Sequence, residues 1–145
     1  LYNYSSQPWK AQYWLREVMD RLYSSKPDGY CGDEDNGQTS AWSGFSALGF
    51  YPVCPGSGQY AIGSPLFRKV SVALPGGKRL EIRADGNSPD ALYIESLKVN
   101  AKPWSHNFLN YSDLAAGARI EFRMSTEPNL QRGTAAGDRP YSFSD

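Results

Sequence analysis

Three consecutive acids, Asp33, Glu34 and Asp35, stand between Gly32 and Gly37. The surrounding stretch is Asp28-Gly29-Tyr30-Cys31-Gly32-Asp33-Glu34-Asp35-Asn36-Gly37-Gln38-Thr39-Ser40-Ala41-Trp42. Adjacent carboxylates repel one another, so a fold keeps them together at a cost. They are tolerated where they are solvated, bind a cation or hold a reactive group. The flanking glycines open backbone conformations closed to other residues. An aromatic helical pattern follows at once, which puts the acids at a loop-to-helix junction, where binding and catalytic groups concentrate.

As a calcium loop the stretch fails the EF-hand pattern. Asp33 and Asp35 fit the first two ligand positions, but Gly37 occupies the third, Gln38 replaces the glycine, and no glutamate stands at the twelfth. As acid/base apparatus, Asp33 and Asp35 are two apart and point the same way if the backbone is extended, so one can orient or tune the other. A glycosidase needs carboxyls on both sides of the bond, about 5 Å apart for retention and about 6.5–9.5 Å for inversion. Residues this close in sequence share one side, so a partner acid must come from elsewhere. Composition alone favours a solvated loop over a catalytic one.

The loop is carried between two helical patterns. Ser6 is a candidate N-cap, Pro8 suits a first turn, and the pattern runs from Gln7 to about Tyr23. Ala11, Leu15, Val18 and Leu22, with Trp14 beside them, form its expected apolar face. Pro27-Asp28-Gly29 is a turn signal. Asn36 or Thr39 is the expected cap of a second helix that runs to about Leu48, with Gly49 ending it. From Tyr51 to Pro65 prolines and glycines punctuate a connector, and the period then changes from helix to strand. Strands are expected at 67–74, 79–84, 91–99 and 118–124, the first two as a hairpin. From Ser125 onward the chain is polar and Gly/Pro-rich, and either runs along the surface or wraps back. The expected class is α+β, with residues 1–65 helical and residues 66–145 an antiparallel β region.

The net charge is zero, which argues against an electrostatic nucleic-acid binder. The 4 Trp, 10 Tyr and 6 Phe suit either core packing or sugar stacking, and packing is the commoner use of any one of them. Two cysteines, Cys31 and Cys54, are too few for a disulfide scaffold or a four-cysteine zinc site, and whether they pair stays open. His106 is the single histidine, which rules out a multi-histidine metal centre; the reading preferred for it is structural. Asn3-Tyr4-Ser5 and Asn110-Tyr111-Ser112 match the glycosylation sequon. No stretch has the length of a membrane span. The chain opens on Leu1-Tyr2-Asn3-Tyr4 without an initiator Met, and the expectation is a fragment of a larger protein.

The run from Gly32 to Trp42, followed by Phe45-Ser46-Ala47-Leu48-Gly49-Phe50-Tyr51-Pro52-Val53 and Pro55-Gly56, resembles the signature of the family 92 glycoside hydrolases, calcium-dependent exo-α-mannosidases. The resemblance extends to Tyr60, Gly63-Ser64-Pro65-Leu66-Phe67, Tyr93-Ile94 and Pro128-Asn129. Upstream, Tyr2-Asn3-Tyr4, Gln7-Pro8-Trp9 and Pro27-Asp28-Gly29 also fit. Ser43-Gly44 departs from it, where a bulky aromatic and an aliphatic are expected, and Thr39 stands where methionine is common.

The resemblance implies an N-terminal β-sandwich followed by an (α/α)6 barrel, of which residues 1–65 would be the last helices and residues 66–145 a terminal antiparallel β-sandwich or sheet region. It implies an inverting α-mannosidase acting on terminal, mostly α-1,2-linked, mannose of glycans. Asp35 would be the general base and Asp33 its partner. The general acid, and most ligands of a Ca2+ cofactor, would lie upstream of Leu1, leaving the chain alone inactive. A bacterial protein, secreted, periplasmic or at the cell surface, is implied as well, with the rest of the catalytic domain and mannose-containing glycans as partners. The competing expectations are a non-catalytic carbohydrate-binding module and a purely structural C-terminal domain.

Overall fold

The computed structural model describes residues 1–34 and 36–143. Helix α1 spans Pro8–Leu22, with proline in the first turn, where a missing N–H costs nothing. Its N-cap is Gln7, not Ser6, and no side chain caps it. The Ser6 hydroxyl is engaged elsewhere, accepting a hydrogen bond from Arg139 Nε at 3.1 Å.

The buried side of α1 differs from expectation only in part: Ala11, Leu15 and Val18 are half-buried, as expected. Pro8, Gln12 and Met19 are buried, while Trp14 and Leu22 stay 52% and 49% exposed. The reason is polar. Gln12 Oε1 accepts the Ile94 amide at 2.9 Å. The Arg16 guanidinium donates to the Pro65 carbonyl, to Asn87 Oδ1 at 3.1 Å and to the Ser88 carbonyl at 3.1 Å. Buried backbone groups must find partners, and here helix side chains supply them.

Helix α2 spans Gln38–Leu48 and ends at Gly49 in the left-handed conformation, as the sequence indicates. Phe45 and Leu48 lean on the core. Strands β1 (Phe50–Tyr51), β2 (Gln59–Ile62) and β7 (Phe108–Asn110) form a three-stranded antiparallel sheet in the order β1-β2-β7. Strands β3 (Lys69–Ala73), β4 (Arg79–Asp85), β5 (Tyr93–Val99), β6 (Lys102–Pro103) and β8 (Ala118–Ser125) form a second sheet in the order β3-β4-β8-β5-β6. A short helix α3, Tyr111–Ala115, leads into β8.

The α+β class stands, but the larger sheet is mixed and not purely antiparallel. β4 and β8 run parallel, with Leu80 opposite Ala118 and Ile82 opposite Ile120. The β3–β4 hairpin is antiparallel as expected, although β3 starts at Lys69 and leaves Phe67 exposed. In β5 the apolar spacing is irregular: Ile94, then Leu97 and Val99. A bulge between Ile94 and Ser96 absorbs the extra residue and returns all three to the buried face.

Ile82, Ile120, Phe122 and Ile94 meet Phe50, Ile62 and Leu109 in one core. Side chains from both sheets contribute, so this core is continuous across position 65. Chain beyond β8 wraps back and is fastened to residues 104–107, the segment that leads into β7. Arg132 donates to Asn107 Oδ1 at 3.2 Å and to the carbonyls of His106 and Trp104 at 3.1 and 3.3 Å. Burial lowers its pKa to about 10, which leaves it protonated at neutral pH. Asn107 N–H donates to the Asp138 carbonyl at 2.8 Å, and the Ser105 hydroxyl to Asp138 Oδ1 at 2.6 Å. Among the described residues, no helix is long and apolar enough to cross a membrane.

Candidate active site

The loop from Tyr23 to Gly37 joins the end of α1 to the start of α2. With the first turns of α2 it encloses an open cavity of about 470 Å³. It is lined by the polar Asp33, Asn36, Gln38 and Thr39 together with Tyr23, Cys31 and Trp42. Tyr23 stacks on Trp42, with ring centroids 5.2 Å apart and planes 22° apart, and Tyr30 meets Tyr23 edge-on at 5.8 Å. The Tyr23 phenol is pushed up to about 12, by burial first and then by its hydrogen bond with Cys31. It stays neutral and remains a donor.

Asp33 is exposed at the cavity, where the sequence places chemistry. Asp35, the candidate base, lies outside the described residues. Gly37, at φ +68°, is the N-cap of α2 in the left-handed region that glycine enters at little cost. A glycine cap brings no side chain of its own, and Asn36 and Thr39, the expected caps, do not fill the position. Thr39 instead donates its hydroxyl to the Asp33 carbonyl at 3.1 Å.

Glu34 does the capping, a role sequence reading missed. Its Oε1 and Oε2 accept the Ser40 amide at 3.0 and 3.1 Å, and the Ser40 hydroxyl also donates to Oε1. The hydroxyl bond, then the amide bond, hold the carboxyl below its usual value. The available signal was a glycine N-cap preceded by an acid, but no short motif encodes an acid reaching from outside the helix. The cap's contribution is present above the ordinary carboxylate pKa and is lost as pH falls through the lowered folded value. The Ser40 amide resonance in NMR is therefore expected to titrate with a midpoint below the ordinary glutamate range. A midpoint at or above that range would contradict the bond.

Cys31 lines the same cavity, whereas His106, Asn3 and Asn110 fall into structural roles. Cys31 and Cys54 are free thiols. His106 Nδ1 lies 3.0 Å from the Gly137 carbonyl and 3.1 Å from Asp138 Oδ1, with the ring stacked on Phe108. Asn3 is buried and donates Nδ2 to the Ile62 carbonyl at 2.7 Å, so its amide is committed to packing. Asn110 Nδ2 donates to Asp113 Oδ2 at 3.1 Å. Among the described residues no group of three His, Cys, Asp or Glu is placed to hold a metal ion.

Comparison with known proteins places the chain among the glycoside hydrolases. Residues 1–126 match the model of the glycosyl hydrolase family 92 catalytic domain, so the chain belongs to that family. It is similar to the solved inverting mannosidase of family 92 from Bacteroides thetaiotaomicron VPI-5482, at 53% identity and TM-score 0.93, covering 99% of this chain and 20% of that one. A family 92 α-mannosidase from Bacteroides thetaiotaomicron matches at 42% identity and TM-score 0.93, covering 98% of this chain and 19% of that one. A third structure, of a family 92 glycosyl hydrolase, matches at 26% identity and TM-score 0.92 over 99% of this chain and 23% of its own. The chain thus spans about a fifth of the length of the solved relatives it matches. Among curated proteins none matches it.

Proposed function

We propose that this chain is the base-bearing part of a longer inverting α-mannosidase that removes terminal α-linked mannose, with a preference for α-1,2 linkages. The observation that carries this reading is the 53% identity, across 99% of the chain, to a relative described as an inverting mannosidase. The acidic loop lies within that matched region and opens on the cavity. Asp35 takes the proton of the water that attacks the anomeric carbon. Asp33, at the cavity, orients that water or tunes Asp35. The polar groups of Asn36, Gln38 and Thr39 offer hydrogen bonds to sugar hydroxyls. The general acid comes from the parent beyond residues 1–145, since an inverting pair must straddle the bond. Residues 1–65 are proposed as the closing helices of its barrel and 66–145 as its terminal β region.

The described residues do not by themselves make the calcium site that the family resemblance implies. Both Glu34 oxygens face Ser40, and Asp33 is the one described carboxylate lining the cavity. The ion's ligands are proposed to come mainly from elsewhere in the parent, and no step here is routed through it. A secreted or cell-surface bacterial location fits a glycan substrate.

The test is hydrolysis of α-1,2-mannobiose by the full-length parent, with the product anomer read by NMR. Initial release of β-mannose is expected, together with loss of turnover on chelation. Residues 1–145 alone should show none. Initial release of α-mannose would refute inversion, and turnover by residues 1–145 alone would refute the placement of the acid.

A further inference from the structure

Glu34 sits in sequence between the two carboxylates given chemical work above, yet it is not among the residues lining the cavity. Both its oxygens are committed to the Ser40 amide, and Oε1 to the Ser40 hydroxyl as well. The Gly37 N–H donates to the Glu34 carbonyl at 3.3 Å, and the Thr39 hydroxyl to the Asp33 carbonyl at 3.1 Å. The backbone at 33 and 34 is thereby tied at several atoms to the first turn of α2.

That helix is a fixed reference. Its far end carries Phe45 and Leu48 against the core, and Ser46 and Ala47 are buried. A carboxylate at its N-terminus is further favoured by the unpaired N–H groups and the helix dipole. On the other flank, Gly32, at φ +103°, has no side chain to hold the loop. Tyr23 holds Cys31 and Tyr30 on that flank, but beyond the Gly32 swivel the ties to residues 33 and 34 come from the α2 side.

We infer that Glu34 is a positioning residue: its bond to Ser40 fixes the loop so that Asp33 presents its carboxyl to the cavity. This rests on the mannosidase reading of the same loop. Direct base work by Glu34 is disfavoured, because the bonds from Ser40 stabilise its charged form and make it a weaker proton acceptor.

The experiment compares kcat and KM for α-1,2-mannobiose in the full-length parent, in Glu34→Ala, Glu34→Gln, Ser40→Ala and Asp35→Asn. In Glu34→Ala kcat should fall about 10–100-fold with KM nearly unchanged, the scale expected of a small misplacement. Glu34→Gln should stay within about threefold of wild type, because its amide oxygen still accepts the Ser40 N–H. Ser40→Ala, which keeps the amide donor and cannot disturb the loop as deeply, should lower kcat about 3–10-fold. It remains informative if Glu34→Ala fails to fold. Equal losses in the Gln and Ala variants would overturn the inference by showing that the charge itself is needed. Wild-type kcat in Glu34→Ala or, where that variant does not fold, in Ser40→Ala would overturn it too. If Asp35→Asn is dead while Glu34→Ala turns over normally, the positioning role alone falls. If Asp35→Asn turns over normally, the reading of the whole loop falls and the positioning role with it.

Discussion

Asp35→Asn in the full-length parent should lose about 10²–10⁴ in kcat, with KM little changed. An asparagine preserves size and can still hydrogen-bond the water, but it cannot take its proton. The loss therefore falls on the transition state and leaves ground-state binding intact. Asp35 itself lies outside the described residues. The expectation rests on its place in the acidic motif, on the family and on the cavity that Asp33 lines. Asp33→Asn should cost less and should move the acid limb of the kcat/KM profile to lower pH. A neighbouring negative charge disfavours ionisation of the base, so removing it lowers the base's pKa. Near-normal turnover by Asp35→Asn would take this residue out of the chemistry and leave the segment as scaffold or sugar-binding surface.

Gly133→Ala should destabilise the chain by about 3–5 kcal/mol. Gly133 has φ +69°, a region that costs a residue bearing a Cβ about 1–2 kcal/mol. The added Cβ would also overlap Asn107 Oδ1 and lie 2.8 Å from its Cγ. Asn107 has nowhere to go. It is 1% exposed, and its Nδ2 donates to the Gly133 carbonyl at 2.7 Å. Its backbone is held too, by Asp138 on one side and Ile62 on the other. Overpacking at such a site costs about 1–3 kcal/mol, and loss of the Asn107 bond adds to it. Gly137→Ala is the control, since nothing stands within 4 Å of its Cβ position. Urea unfolding of the two variants beside the wild type checks the pair. Equal midpoints for Gly133→Ala and wild type would mean that the C-terminal segment is not packed on Asn107 as described.

Local features were the legible ones. Pro8 and Gly49 mark helix ends by backbone chemistry that needs no tertiary context, and both hold. Alternation at Ile120, Phe122 and Met124 likewise marks a strand half-buried by its pleat. What escaped depends on partners distant in sequence. The parallel pairing of β4 with β8 is invisible locally, because β4 looks the same whichever strand lies beside it. The face of α1 is legible only in part: Ala11, Leu15 and Val18 are half-buried, but Trp14 and Leu22 stay exposed. Gln12 and Arg16 go inward instead, to satisfy backbone groups at Ile94, Pro65 and Ser88. At the site, the acidic motif pointed to the cavity through Asp33. The engagement of Glu34 with Ser40 was missed, since it joins a loop to a helix turn across a glycine.

The placement of β8 also sets an order of assembly. β4 ends at Asp85 and β5 begins at Tyr93, yet they are not neighbours in the sheet. The strand that belongs between them arrives only at Ala118–Ser125. A chain emerging from the ribosome can close the β3–β4 hairpin early, but β4 and β5 must wait with an open seam until β8 enters it. Closing that gap late, over long sequence separations, slows folding and leaves two strand edges unpaired in the meantime. A chain stopped anywhere before Ala118 would hold those edges open permanently, which makes the seam the place where self-association of truncated chains should begin.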